Sequence, residues 1–367
     1  MDAAPHLWDD QPTSGTGTSS THDRTNAKVL LGVSASTAGT RVRQTYRRFN
    51  YQPGKSQLVM MTFVMGAAST GITRRVGYFD DFNGFLLEQT ASGPAFVLRK
   101  NGLAAETFAQ ADWNMDRLDG TGPSGITLDL SKAQIMFIDF EWLGVGTVHF
   151  GFILGHHMVR VHDAHHSNQS TDVYTSSPNL PLRYELASSG AGAAATLSCI
   201  CSTVISEGGI INTGYPRAVS RGTNPFATGN DANLYAVLGL RLTTSGTHAT
   251  VSPTGLSAAC TSNAALRCSL VVNPTINGAG AISWVPIPNS AVEYAAATTN
   301  TNTCVSGTEV MAAYAIASTS LANIGMTGFF GLGMSIGGRR DELWLCAQRL
   351  TGAGETIYAS LNFIAQS

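Results

Sequence analysis

Apolar and polar residues alternate over much of this chain, and the most regular stretch is Gln134 to Leu154, QIMFIDFEWLGVGTVHFGFIL. Met136, Ile138, Phe140 and Trp142 fall at every second position. After Gly144, Val145 and Gly146 the alternation resumes as Val148, Phe150, Phe152 and Leu154. A period of two marks a strand with one buried face, so two such runs around a glycine-rich break predict a β-hairpin. If Gly144 and Val145 alone formed the turn, Trp142 would meet Thr147 and an apolar face would oppose a polar one. A three-residue loop keeps the faces matched: Trp142 opposite Val148, Phe140 opposite Phe150, Ile138 opposite Phe152. Gly146 then takes the left-handed conformation that such a loop needs. The same register puts Asp139 and Glu141 on the other face, with His149 opposite Glu141.

The pattern elsewhere is also that of short strands. TRVRQTYRRFNYQPGKSQLVMMTFVMG reads as strand, Pro53-Gly54 turn and strand. ITRRVGYFDDFNGFLLEQ carries an Asn83-Gly84 hairpin signal. Further strands are expected at 96–99, 234–242, 266–272 and 282–287, in LSCICSTVISEGGI, and in the closing ELWLCAQRL and TIYASLNFIA on either side of a turn at 352–355. Helical periodicity is rare; 309–322 is the best candidate and reads equally well as a strand. Many short strands with frequent turns predict an all-β fold, an antiparallel, jelly-roll-like β-sandwich with long loops. Residues 1–40 are rich in Ser, Thr, Gly, Ala and Asp, with one apolar island at Val29 to Val33, and are expected to form an extended N-terminal arm. Residues 41–367 would form the sandwich, divided into a core at 41–215, a loop-rich insertion at 216–310 and closing strands at 311–367.

Composition changes the picture in one respect. Charged residues make up 13% of the 367 positions, about half of the ~25% usual for a soluble domain. A surface so poor in charge is weakly protected against self-association and suggests burial in a permanent homo-oligomer, with a trimer expected. The net charge of −2 gives no general attraction to nucleic acid or to an anionic membrane. Arg41, Arg43, Arg47, Arg48 and Lys55 form one basic cluster, read as a solvated strand face or a subunit contact. No apolar run reaches membrane-spanning length, and the N-terminus lacks the blocks of a signal peptide. The six cysteines are therefore expected to be free thiols made in a reducing cytoplasm, with Cys199 and Cys201 on one strand face and Cys260 and Cys268 close enough in sequence to bridge a short loop.

Two groups of residues could carry chemistry. His149, His156, His157, His162, His165 and His166 crowd into one segment, and a metal needs three or four such ligands at one point. Their spacing matches no zinc motif, and adjacent His156 and His157 would point to opposite faces of a strand. No metal and no cofactor are expected, and His156, His162, His165 and His166 are the residues to consider if that fails. Asp139 and Glu141, two apart on one strand face, are placed like the carboxylates of jelly-roll glycoside hydrolases, whose chemistry needs two acids at close range. The third acid of that pattern is absent, since Leu143 and Gly144 follow. Pairing of Glu141 with His149 across the hairpin is the simpler expectation. No catalytic residue is assigned; Asp139 and Glu141 are the alternative. Phe140, Trp142, Gly144, Gly146, Val148 and Phe150 are read as core and assembly residues of the hairpin.

Several phrases together resemble a known group. TRVRQTYRRFNYQPGKSQLV, RRVGYFDDFNGFLLEQ, WNMDRLDGTGPSGITLDLSKAQIMFIDFEWLGVGTVHFGF, SPNLPLRYEL and CSTVISEGG are similar to segments of virion structural proteins of tailed bacteriophages of marine bacteria and cyanobacteria. The likeness runs from about Thr40 to Gly209. It implies a particle component of the tail fibre, baseplate or head-decoration type that is not an enzyme. Its partners would be itself, other virion proteins and a host surface glycan. The His-rich loop departs from the group, which more often has one His followed by small polar residues. A host-polysaccharide binding or cleaving protein using the Asp139/Glu141 strand is the alternative function.

Overall fold

A computed structural model describes residues 6–209, 214–229, 231–246, 248–260, 265–278, 282–297, 300–315, 320–325, 331–351 and 355–366. These residues form two compact all-β units: residues 1–211 with 335–337, and residues 212–334 with 338–367. Among them no helix is long and apolar enough to cross a membrane.

The first unit is an antiparallel sandwich of two seven-stranded sheets. In chain order its strands are β1 (Trp8–Gly15), β2 (Thr18–Asp23), β3 (Lys28–Val33), β4 (Ala38–Thr45), β5 (Gln57–Val64), β6 (Ile72–Phe79) and β7 (Gly84–Thr90). There follow β8 (Gly93–Lys100), β9 (Leu103–Ala109), β10 (Gln134–Phe140), β11 (Val148–Leu154), β12 (His157–Ala164), β13 (Leu182–Ser189) and β14 (Ala195–Ser206). One sheet runs β1-β4-β13-β6-β7-β8-β9 and the other β12-β11-β10-β5-β14-β3-β2. Their inner faces meet in one core. Met136, Ile138 and Phe140 of β10 and Phe150 and Phe152 of β11 pack against Val76, Tyr78, Phe85, Leu87 and Phe96. The rings of Phe140 and Phe85 stand 4.8 Å apart, and those of Phe150 and Phe96 4.3 Å apart, each pair bridging the two sheets. β5 shows how the pleat selects faces: Val59, Met61 and Phe63 are buried while Leu58, Met60 and Val64 are half-exposed on the other side.

Three expectations need correction here. Residues 8–33 are not an extended arm; they form β1, β2 and β3. The island at Val29 to Val33 pairs with β14, which buries Val29, Leu31 and Val33 in the core. The polar texture that suggested an arm belongs to β1 and β2, each an edge strand of its sheet, where few apolar residues are required.

The hairpin exists, but its register is displaced by two residues. Phe140 faces Val148, Ile138 faces Phe150 and Met136 faces Phe152. The loop therefore takes in all seven residues from Glu141 to Thr147. Because the pleat repeats every two residues, a shift of two keeps every apolar side chain on the core face, and alternation alone cannot detect it. Trp142 leaves the ladder and lies half-buried, its Nε1 donating to the Thr175 carbonyl at 3.3 Å. Leu143 (φ 34°) and Gly144 (φ 83°) take the left-handed positions, not Gly146. Gly146 is required for space instead: a Cβ there would lie 1.7 Å from the Glu141 carbonyl oxygen. Cys199 and Cys201 also part company, since a bulge between them buries the first and exposes the second.

Residues 216–310 are not a loop-rich insertion into one sandwich: with 311–334 and 338–367 they build the second unit. Its larger sheet centres on 234–242, flanked on one side by 342–349, 266–272 and 308–315 and on the other by 292–296. Its smaller sheet centres on 356–366, between 215–220 and 250–260. Leu238, Leu240, Leu256, Leu270, Trp344 and Phe363 fill its core. The helix candidate at 309–322 is strand over Thr308–Ala315 and again from Ser320, with 316–319 outside the described residues. The expected turn at 352–355 falls mostly outside them too. The six cysteines form no disulfide, Cys260 and Cys268 included.

Candidate functional site

The outward face of the second sheet carries a cavity of about 290 Å³ lined by Ser56, Asp139, Phe140, Glu141, Thr147 and His149. β10 supplies Asp139, and the antiparallel ladder sets His149 of β11 directly beside it. Ser56, just ahead of β5, donates its hydroxyl to Asp139 Oδ1. Glu141 lies past the end of β10 at the start of the seven-residue loop, and its carboxylate is exposed.

The imidazole of His149 is held from behind. Its Nδ1 lies 2.8 Å from Asp163 Oδ1, across the β11–β12 ladder. Asp163 is nearly fully buried and is fixed in turn. Arg160 Nε reaches the same oxygen at 3.3 Å, while Asn114 accepts from the Asp163 amide and donates to its carbonyl, each at 2.9 Å. With Nδ1 engaged, Nε2 is the nitrogen left for a ligand. The expected Glu141–His149 pair is thus not formed: the register shift gives His149 to Asp139 as its cross-strand neighbour and to Asp163 as its hydrogen-bond partner. Asp163 was missed because it belongs to a third strand whose register with β11 slips at Phe150 and Gly151.

The histidines do not converge. The rings of His156 and His157 lie against each other at a tilt, their centres 4.0 Å apart, at the β11–β12 turn. His162 faces inward against Phe108, and burial pushes its pKa down more than the nearby Asp163 raises it. His165 Nδ1 contacts the Thr147 hydroxyl at 3.1 Å. His166 is buried and joins three segments: Nδ1 to the Gly146 carbonyl and Nε2 to Glu106 Oε1, both at 3.0 Å, with its ring stacked on Tyr174. It ties the loop that carries Glu141 and Thr147 to β9. Among the described residues no group of three or more His, Cys, Asp or Glu could hold a metal ion.

The basic cluster is dispersed as well. Arg41 and Arg43 reach Asp10, Arg48 pairs with buried Asp80 at 2.7 Å, and Lys55 donates to the Gly209 carbonyl.

No family model and no curated protein matches the chain. Solved structures resemble it in part. The Emp46p carbohydrate recognition domain aligns with 57% of this chain and 91% of its own, at 6% identity and a TM-score of 0.34. The VIP36 exoplasmic/lumenal domain aligns with 55% and 85%, at 12% identity and a TM-score of 0.32. The carbohydrate-binding module CBM66 from Bacillus subtilis aligns with 54% and 96%, at 12% identity and a TM-score of 0.29. At such TM-scores the site has to be read from its own geometry.

That geometry suits hydrogen bonding to a polyol. The carboxylates of Asp139 and Glu141 offer acceptors, Ser56 and Thr147 donate or accept, and the free ring nitrogen of His149 adds one more polar contact. Acid–base hydrolysis makes a further demand, one carboxyl shielded from water. Glu141 is exposed, and Asp139 accepts a hydrogen bond from Ser56.

Proposed function

We propose that this chain is a non-enzymatic β-sandwich subunit of a tailed-phage particle that binds a host surface glycan in the Asp139–Glu141–His149 cavity. One observation carries the reading. Apart from exposed Glu141, the lining is held in place before any ligand arrives, with Asp139 fixed by Ser56 and His149 fixed by Asp163, which Arg160 and Asn114 hold in turn. Groups oriented in advance do not lose side-chain entropy again on binding, and this favours recognition of a flexible, hydroxyl-rich ligand. The particle assignment is supported by the segments between Thr40 and Gly209 that resemble virion proteins.

Polysaccharide from the surface of susceptible bacteria tests both halves of the glycan reading. Wild-type protein is expected to be retained on the immobilised polymer, and E141Q to be retained about tenfold less tightly, as expected for loss of a charged hydrogen-bond acceptor. Reducing ends are expected to stay constant during incubation. Turnover by the wild type that E141Q abolishes would replace binding with hydrolysis, and absence of retention would end the glycan reading.

A further inference from the structure

The outward face of the first sheet carries charges that the cavity does not use. Alternate residues of β13, β6, β7 and β8 point away from the core there. In one row the ladder aligns Glu185, Arg75 and Glu88; in the next it aligns Arg183, Gly77, Leu86 and Val97. Beyond these lie Phe79 and Arg99. Arg75 is paired to Glu185 at 2.5 Å and to Glu88 at 2.6 Å, and Arg183 to Glu185 at 2.7 Å and to Asp81 at 2.8 Å.

Arg99 differs. Among the described residues it has no acid partner. Its Nη1 donates to the Asp80 carbonyl at 2.8 Å and its guanidinium carbon sits 5.3 Å from the centre of the Phe79 ring. Arg183 lies at the same distance from that ring, and its Nε is buried without a hydrogen-bond partner. Two cations therefore share one aromatic ring, one making no direct ion pair among the described residues and the other with an idle buried donor. Burial, and then the charge of Arg75, hold Arg99 below its ordinary pKa, with Arg183 adding to the effect and Glu185 and Asp81 opposing it. An anion placed beside Arg99 would offset the repulsion among these guanidinium groups. The mount is firm: the carboxylate of Asp80 is bound by Arg48 at 2.7 Å and accepts from the amides of Phe82 and Asn83.

Further along β6 and β13 on the same face is a hollow of about 360 Å³ whose lining includes Thr73, Thr90, Ser92, Ala187 and Ser189. Thr73 is six residues from Phe79, about 20 Å along the strand. One end of this track offers hydroxyls and the other guanidinium groups, a combination suited to a chain that carries both hydroxyls and carboxylates. Guanidinium forks match carboxylates in a bidentate manner.

We propose that Arg99 and Arg183 form a second binding site, on the sheet opposite the Asp139 cavity, for the carboxylate of an acidic saccharide. It shares no residue with that cavity and stands or falls separately.

Isothermal titration of the intact chain with an oligogalacturonate, against a neutral oligosaccharide of equal length, tests it. The wild type is expected to prefer the oligogalacturonate. R99Q is expected to weaken that binding about tenfold or more, and R99K less, because the charge stays while the fork is lost. D81N is the second variant: it lies on an exposed side chain, releases Arg183 Nη1, and is expected to tighten binding. E141Q is expected to leave this binding unchanged. Equal affinity for the neutral oligosaccharide, wild-type affinity in R99Q, or unchanged or weaker binding in D81N would overturn the proposal.

Discussion

His166 connects a single titration to the walls of the cavity. Burial alone would lower its pKa, but hydrogen bonds to Glu106 and the Gly146 carbonyl, together with the Glu106 charge, outweigh burial and hold it above the ordinary value. Protonated, the ring donates to both partners at once; neutral, it can donate to only one. A folded-state pKa raised above the unfolded one gives stabilisation that is complete below the unfolded value, about 6.5, and is lost as pH rises through the folded value. The melting temperature of the wild type is therefore expected to exceed that of H166Q by more at about pH 5.5 than at about pH 8.5. A difference independent of pH would show that the contact is not proton-linked. The sequence marked His166 only as one of a crowd. Its partner Glu106 is sixty positions away on β9, a separation that no local pattern encodes.

At the scale of elements, alternation identified β10 and β11 and their apolar faces, and it named the core correctly through Met136, Ile138, Phe140, Val148 and Phe150. Loop length was hidden because slips of two residues are invisible to a period of two. Trp142 reads as a further core position; it belongs to the loop, and from there it packs half-buried against the core, edge-on to Tyr51. The carboxylates Asp139 and Glu141 were legible as a pair, but the shift placed His149 beside the first. β1 and β2 escaped notice for the opposite reason, since edge strands can be written almost wholly in polar residues. Phe140 tests how far the hairpin anchors the sandwich. Its ring lies within 6 Å of Tyr51, Tyr78 and Phe85. F140A is expected to cost about 3–5 kcal/mol in denaturant unfolding; a loss below about 1 kcal/mol would mean that the core collapses around the deletion.

For the whole molecule, composition spoke more clearly about surface than about architecture. It gave no hint that residues 212–334 and 338–367 close on a core of their own, because Thr- and Ala-rich strands read like loops until their partners are known. The low charge did raise an expectation about assembly. A homotrimer should give three times the chain mass by light scattering across a dilution series, whereas a monomer persisting at high concentration would remove that part of the proposed particle role.

The claim on which the function rests is recognition of glycan by the Asp139–Glu141–His149 cavity. Titration calorimetry of oligosaccharides released from the host surface into wild-type protein and into the D139N/E141Q double variant tests it directly. The account predicts saturable binding by the wild type, and at least about tenfold weaker binding by a variant that melts like the wild type. Equal binding by a well-folded double variant would contradict it.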